Sequence, residues 1–578
     1  MAKKQDNSNT AKLWVRIVCG ILGFLMVFGV LVMLISSLQS AAVESGDMTT
    51  TVPDQQISVG LYCNENAVQS YALYAKDGVM ITDASGGLST VLDVSRVIAA
   101  VDGNLYRSGG TLTTASGGIA AVGGYHIEIS YFTFADLGID TDHDNPVFIR
   151  PGSSAGTTDG YSPANVYDYI ALLGDDSSFK AFGMPAFPYY VSSDKCYIRV
   201  GNFFTKEEAE AALLQLSRTM TLNAEIAEPE DNALTLLGDD YSVLCELSGV
   251  GAPYAISSAD GVLKEEGGRV YSGSISVSRT NDADVAGMSI INHVTLEDYV
   301  AMLISSEISS EWDSELLKSM AVLLRTELVR KLGRHNAEGF DLCADEHCHT
   351  YLGATPVFER VSDAVQATGG QILLYEDKPI FTPYSMENGS GTLSASDAFG
   401  KDLPYLSSTY TPWETAAEWT VEFTPYELCR ILQSAGYSEI TGNITSVVVN
   451  SCAESSDYVS SITFTDLFGA SVTVEGCETI RFLFAGRLPS VCFVAGAVGD
   501  SVTRKTRTLS GNGIDYTESE ETITLNGTYG SFVFVGSGSG CGVGFSISGA
   551  RALAEMGYSY SEILLIYFPE TTLSAKHE

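Results

Sequence analysis

Between Leu296 and Leu332 apolar residues recur at helical spacing twice, with a polar break between the two runs. Leu296, Tyr299, Val300, Leu303 and Ile304 form the first stripe, and Leu317, Met320, Ala321, Leu324, Leu328 and Leu332 the second, so the chain predicts two amphipathic helices in succession. Asp313 is placed to cap the second helix and Gly333 to end it. Glu307 falls at the junction. Flanked by Ser305, Ser306 and Ser309, it reads on its own as a solvated side chain.

Other stretches alternate with a period of two. ISVGLYC, YALYAK and GVMITDA, from Ile57 onward, predict short strands broken by turns and define a strand-rich N-terminal region over 57–158. A connector follows, and then CYIRVGNFFTKEEAEAALLQL runs from a strand into a helix. Thr205 and Glu208 form a capping box at its start, and Ala209, Ala212, Leu213 and Leu216 give its inward face. This is a small βαβ unit over 189–235. Strand-like runs resume in YSVLCEL, YAISSAD and RVYSGSISVSR and open a core over 240–578. Within it WTVEFTPYELCRILQSAGY predicts a strand and a helix starting near Thr424, and ITSVVVNSC, SSITFTDLFG and SVTVEG predict three strands. A polar stretch over 500–529 reads as an inserted loop or hairpin. Strands running beside helices favour a mixed α+β fold over a doubly wound parallel sheet.

The N-terminus carries a different pattern. An uncharged apolar run from Ile17 to Ile35, within a candidate span over 17–37, approaches the roughly 20 residues that cross a bilayer. Lys3, Lys4, Lys12 and Arg16 precede it and no Lys or Arg follows before Lys76. Residues 1–16 are therefore expected in the cytoplasm, with the rest outside a cell membrane crossed once. The small residues of SSLQSAA also allow a cleaved signal. Residues 41–56 are a polar linker.

With 32 Lys and Arg against 71 Asp and Glu, the net charge of −39 argues against nucleic-acid binding. A hydrophobic content of 45% suffices for packed cores. The 11 cysteines follow no disulfide-framework spacing. Four candidate metal donors crowd into DLCADEHCHTY: Cys343, His347, Cys348 and His349. Thiolate and imidazole are the usual ligands of zinc, and a structural site takes four. A Cys343–Cys348 disulfide or free thiols remain the alternatives.

Taken in order, these segments resemble a known family. LEDYVAMLISSEIS and LLKSMAVLLRT look like the helix pair of the stage II sporulation protein D and amidase-enhancer family. DLCADEHCHTYLG, GGQILLYEDKPIFTPYS, SASDAFG with PYL, and the glycine-rich GSGSGCGVGFSISGARALAEMGYSYSEIL follow collinearly. The strand and helix at Cys196–Leu216 also resemble half of a sporulation-related repeat (SPOR) module, which implies binding of peptide-stripped glycan.

The family resemblance implies a lytic transglycosylase of peptidoglycan with Glu307 as its general acid. The acid protonates the leaving glycosidic oxygen, and the sugar's own 6-hydroxyl closes on C1 to leave a 1,6-anhydro end. One carboxyl then suffices where hydrolases use two. Ile304, Ile308 and Trp312 are candidate pocket walls. Arg325, Ser385, Asp397 and Tyr405 are candidate substrate-binding residues, and Glu414 neighbours a later motif. The resemblance also implies a structural zinc on Cys343, Cys348 and His347, or His349 in its place, with no cofactor needed for the reaction. Expected partners are glycan strands and a cell-wall amidase. The C-terminal motif departs from the family, with Ser539, Cys541, Ile547 and Ser548 in place of its Trp, His, Gln and Trp, although the glycines remain. Met320 and Glu327 also stand where the family has Gln and Tyr. Cys541 is a candidate fourth metal ligand. The alternative function is a weakly active or inactive relative that binds glycan or stimulates an amidase, or a membrane-anchored scaffold.

Overall fold

The computed structural model describes residues 55–575, apart from short breaks and the longer stretches 102–110, 133–165 and 171–183. The expected cytoplasmic tail, membrane anchor and most of the linker lie outside the described residues. Among the described residues no helix is long and apolar enough to cross a membrane.

The fold is mixed α+β. Its largest sheet has ten strands, and a second has seven in the order Leu342–Cys343, Gln56–Tyr62, Met288–Thr295, Ser274–Arg279, Tyr254–Ser258, Val79–Asp83, Ser89–Leu92. Residues from both sheets, such as Val59, Ile290, Tyr71 and Ile127, share one apolar core with the central helices. Along Met288–Thr295 buried and half-buried positions alternate strictly, as a strand covered on one face requires.

The sheets cross the domain boundaries expected from sequence. Gln56–Tyr62 pairs antiparallel with Met288–Thr295 and parallel with Leu342–Cys343, so the N-terminal strand completes the core instead of opening a separate region. The βαβ unit is also not free-standing. Its helix α1 (Lys206–Leu216) starts at the expected Thr205–Glu208 capping box and buries Ala209, Ala212 and Leu216. Its two strands, Lys195–Phe203 and Leu222–Ala227, both pair with Tyr125–Phe132, which lies between them. Buried charge ties the same strands together. Arg199 meets Glu246 at 2.6 Å and Glu128 at 3.1 Å and lies 3.5 Å above the Tyr189 ring. A charge this buried needs such partners to be tolerated, so 189–235 is one part of the ten-stranded sheet. The expected insertion is a hairpin, Ser501–Leu509 with Tyr516–Thr524, whose Arg504 reaches Glu521 and Glu418.

Strand Met288–Thr295 runs directly into helix α2 (Leu296–Glu307), where Thr295 Oγ1 accepts the Asp298 amide. Helix α3 (Ser314–Lys331) follows. Its cap is the expected Asp313, whose Oδ1 accepts the Glu315 amide at 2.7 Å, and Gly333 leaves it with a left-handed φ of 79°. Most of α3 is buried, including Arg325, Thr326, Glu327 and Lys331. Helix α4 (Glu359–Ala367) packs against both.

Candidate active site and metal centre

Glu307 is the last residue of α2. Helix C-termini favour cations, so an acid placed there depends on side-chain partners from elsewhere. Two converge on it. The Tyr384 hydroxyl, from strand Tyr384–Ser385, donates from 2.8 Å to both Oε1 and Oε2, and His349 Nε2 lies 3.3 Å from Oε1. Tyr384 and His349 are themselves 3.5 Å apart. His349 is 5% exposed, while the Glu307 side chain keeps 22%, enough to meet a ligand. Burial and the adjacent Glu307 carboxylate push the Tyr384 hydroxyl well above the usual phenol range, so it stays a proton donor. Ile304 is fully buried and Trp312 packs against the core, while Ile308 lies outside the described residues.

The candidate substrate-binding residues are placed otherwise. Arg325 is fully buried and gives its guanidinium to Glu297 at 2.5 and 2.8 Å and to the carbonyls of Gln371 and Val365. It clamps α2, α3 and α4 together and has no face left for a sugar. Tyr405 is 8% exposed and packs on the Tyr375 ring. Asp397 closes its own helical turn with Ser394. Ser385 is buried with its hydroxyl accepting the Gly542 amide. Arg325 and Tyr405 are thus structural residues, and none of the four meets Glu307.

The metal donors do come together. His335, Cys343, His347 and Cys348 place one ligand atom each within 4.8 Å of one another. His347 Nδ1 is 3.7 Å from both sulfurs and 3.2 Å from His335 Nε2. Zinc–ligand bonds of about 2.0–2.3 Å place tetrahedral ligands roughly 3.3–3.8 Å apart, so the donor set and its spacing fit that ion. Both cysteines are free thiols, against the disulfide alternative. The hydrogen bond from Cys343 holds the Cys348 thiol well below its usual range, toward the thiolate a metal needs. His335 is the candidate donor that sequence reading missed. It stacks on Phe340, and Glu338 engages its Nδ1 at 2.8 Å, leaving Nε2 directed at the cluster. His349 and Cys541 are not members. His349 faces Glu307, and the Cys541 sulfur lies 3.6 Å from Ser385 Oγ.

The two sites are mechanically joined. His349 immediately follows Cys348, and Lys331 from α3 donates to the Cys348 carbonyl at 2.5 Å. Lys331 also pairs with Glu327 at 3.0 Å. Burial acts to raise the Glu327 carboxyl, but Arg330 and Lys331 hold it down at about 2. The departure at Glu327 therefore carries a buried ion network that anchors the metal loop.

The glycine loop lies beside Ser385. Gly538, Gly540, Gly542 and Gly544 all have positive φ. A Cβ at Gly540 would sit 2.5 Å from Ser385 Oγ, and one at Gly542 2.3 Å from the Tyr458 hydroxyl. Close approach and left-handed backbone both demand glycine there. Cys541 and Ile547 are buried and take no part in the Glu307 contacts.

Comparison with known proteins agrees with this geometry. Residues 284–375, which hold α2, α3 and the metal cluster, match the family model described as Stage II sporulation protein, SpoIID. An uncharacterised protein of Brachyspira hyodysenteriae is 32% identical over 155 residues, 25% of this chain and 41% of the relative. The amidase enhancer of Bacillus subtilis is 25% identical over 293 residues, 47% of this chain and 40% of the relative. Stage II sporulation protein D of Bacillus amyloliquefaciens is 27% identical over 156 residues, 24% and 44% respectively. The chain thus spans about two fifths of the length of these relatives. Over residues 284–375, the segment that holds the Glu307 helix pair, the chain is thus similar to the SpoIID family.

Proposed function

We propose that this protein remodels the cell wall as a lytic transglycosylase, cleaving peptidoglycan glycan strands with Glu307 as its acid. The observation that supports it most is the Glu307 carboxyl itself, partly exposed at a helix end and oriented by Tyr384 and His349. Glu307 gives its proton to the glycosidic oxygen as the C1–O bond breaks. The 6-hydroxyl of the same sugar then bonds to C1 and returns a proton to Glu307, so no water is consumed. A single carboxyl serves both transfers. Zinc bound by His335, Cys343, His347 and Cys348 would supply local rigidity. These residues fix the backbone that delivers His349, and no proton passes through them. The apolar run at 17–35 anchors the chain in the membrane with its bulk outside, and sporulation is the setting that the relatives' names suggest.

A second reading has its own support. The widest of the reported matches is to a protein named amidase enhancer, and Ser539, Cys541, Ile547 and Ser548 offer little to grip a sugar. In that reading the chain binds glycan and stimulates an amidase. Mass spectrometry of glycan incubated with the detergent-solubilised full chain separates the two: 1,6-anhydro ends support the enzyme, and their absence on both intact and amidase-stripped strands overturns it.

A further inference from the structure

Four neighbouring strands of the ten-stranded sheet meet in one buried group of charges that the reaction does not use. Tyr125–Phe132, Lys195–Phe203, Ala186–Ser192 and Val243–Leu247 lie side by side in that order. His126 from the first strand and Glu246 from the fourth are both fully buried. Strands spaced about 4.8 Å apart put the outer two roughly 14 Å from each other in a flat sheet, yet His126 Nε2 lies 2.9 Å from Glu246 Oε1. The sheet therefore curls here, and these two side chains staple the curl across the strands between them. Arg199 from the second strand joins the staple, since its Nη1 meets Glu246 Oε2 at 2.6 Å and its Nε meets Glu128 at 3.1 Å.

The other ring nitrogen of His126 is also engaged. Its Nδ1 lies 2.7 Å from the carbonyl oxygen of Gly201, which sits in the bulge where the register with Tyr125–Phe132 shifts between Val200 and Phe203. A carbonyl oxygen only accepts, so Nδ1 carries a proton. Nε2 faces a carboxylate oxygen at a bent angle, and two bare lone pairs at that distance would repel each other. A second proton between Nε2 and Oε1 turns the repulsion into an ion pair. Charge balance asks for the same proton. Among the described residues the groups around the ring are Arg199 with the Tyr189 ring beneath it, Glu246 and Glu128, with Phe187 edge-on to the imidazole and Glu225 opposite Glu128. With a neutral imidazole, one Arg would face two carboxylates, one fully and one largely buried, and the unmatched charge would be costly. With the added proton the group is neutral. Burial acts to raise the Glu246 carboxyl, but His126 and Arg199 hold it below the usual carboxylate range.

We infer that folding of this sheet captures one proton in the His126–Glu246 contact, so that the staple is closed in mild acid and weakened in mild base. An imidazole in the unfolded chain gives up this proton near pH ~6.5, whereas the folded contact retains it to higher pH. The folded value lies above the unfolded one. The contribution of the staple is therefore complete below about 6.5 and is lost as pH rises through the folded value. Within that window each pH unit lowers the ratio of closed to open sheet by up to about tenfold. Once the proton leaves, Nε2 and Oε1 repel across the curl and the outer strands lose their tie. None of this depends on Glu307 or on the transglycosylase reading, because no group of the staple belongs to the acid site.

The test uses the full chain in detergent, with its histidine rings labelled with nitrogen-15 and read by NMR. The His126 resonances are those missing from His126→Gln or, should that variant not fold, those that move in Glu246→Gln. At pH 7.5 both ring nitrogens of His126 are expected to carry protons in the wild type. Glu246→Gln presents an amide oxygen to Arg199 and an amide N–H to Nε2, so its His126 should be neutral with the proton on Nδ1. Amide hydrogen exchange, read by mass spectrometry on peptides covering 125–132 and 243–247 and corrected for the intrinsic rate, follows the strands themselves. Wild-type protection should fall by up to about tenfold per pH unit between pH 7 and 9, while that of Glu246→Gln should hold level. A neutral His126 in the wild type at pH 7.5 overturns the inference, as does protection that falls equally in both proteins.

Discussion

The helix pair carrying Glu307 and the loop frame around Glu414 handle buried charge in opposite ways. In the first, cations accompany the acids: buried Arg325 grips half-buried Glu297, and buried Glu327 lies between Arg330 and Lys331. In the second, Glu414 has hydroxyls, an amide and another acid, and among the described residues no cation pairs with it. Paired charges keep their protonation state across the physiological range, whereas a carboxyl held by neutral donors in an apolar setting titrates near neutrality. The buried Glu327 thus keeps its charge across the physiological range, while burial pushes the Glu414 carboxyl up to about 7.

The strongest way to break this contrast is to unpair the first region. Glu327→Ala leaves the Lys331 ammonium buried without its counter-charge, a loss of about 3–5 kcal/mol for a broken buried pair, read as a drop in the denaturant midpoint. Acid should act in the same direction. The Glu327 carboxyl is depressed, so its stabilisation is complete above the unfolded value and is lost as pH falls toward about 2. Removing the metal donors comes next. Cys348→Ser should abolish stoichiometric zinc by elemental analysis and lower the melting temperature while leaving wild-type protein in chelator equally low. A variant that binds no metal yet melts as the wild type does in zinc would separate the loop from the fold.

Smaller effects sharpen the contrast. Tyr384→Phe removes one hydroxyl from Glu307 and should slow product release roughly ten- to a hundredfold, the worth of a hydrogen bond to a charged group, with little change in melting. Glu414→Gln should flatten the decline in stability that the wild type shows as pH rises from about 4.5 to about 7, a change of at most ~1.4 kcal/mol per pH unit for one proton. If Glu327→Gln flattened that same interval equally, the division between the two regions would be wrong.

The sequence made the local features visible. Asp313, Gly333, the Thr205–Glu208 box and the helix starting at Thr424 follow from contacts within one turn, and Cys343, His347 and Cys348 lie close enough together to suggest a site by themselves. What brings the site together is not local. His335 reaches the metal cluster only because α3 ends at Gly333 and the chain folds back. Tyr384 meets Glu307 across 77 positions, and Ser58 holds Asp341 across 283. No period or spacing encodes such meetings. The same limit explains why the sheets pair strands across the expected segments, since strand patterns reveal where strands are and not which sheet they join. Arg325 shows a related limit: a guanidinium on an apolar helix looks alike from sequence whether it faces a ligand or, as here, the half-buried Glu297.

The account depends most on Glu307 as the single acid. The direct measurement is mass spectrometry of glycan strands treated with the full chain and with Glu307→Gln at matched fold stability. The account predicts 1,6-anhydro ends from the wild type and a loss of at least about a hundredfold in the variant, the low end for removing a general acid. Equal anhydro product from both proteins would contradict it.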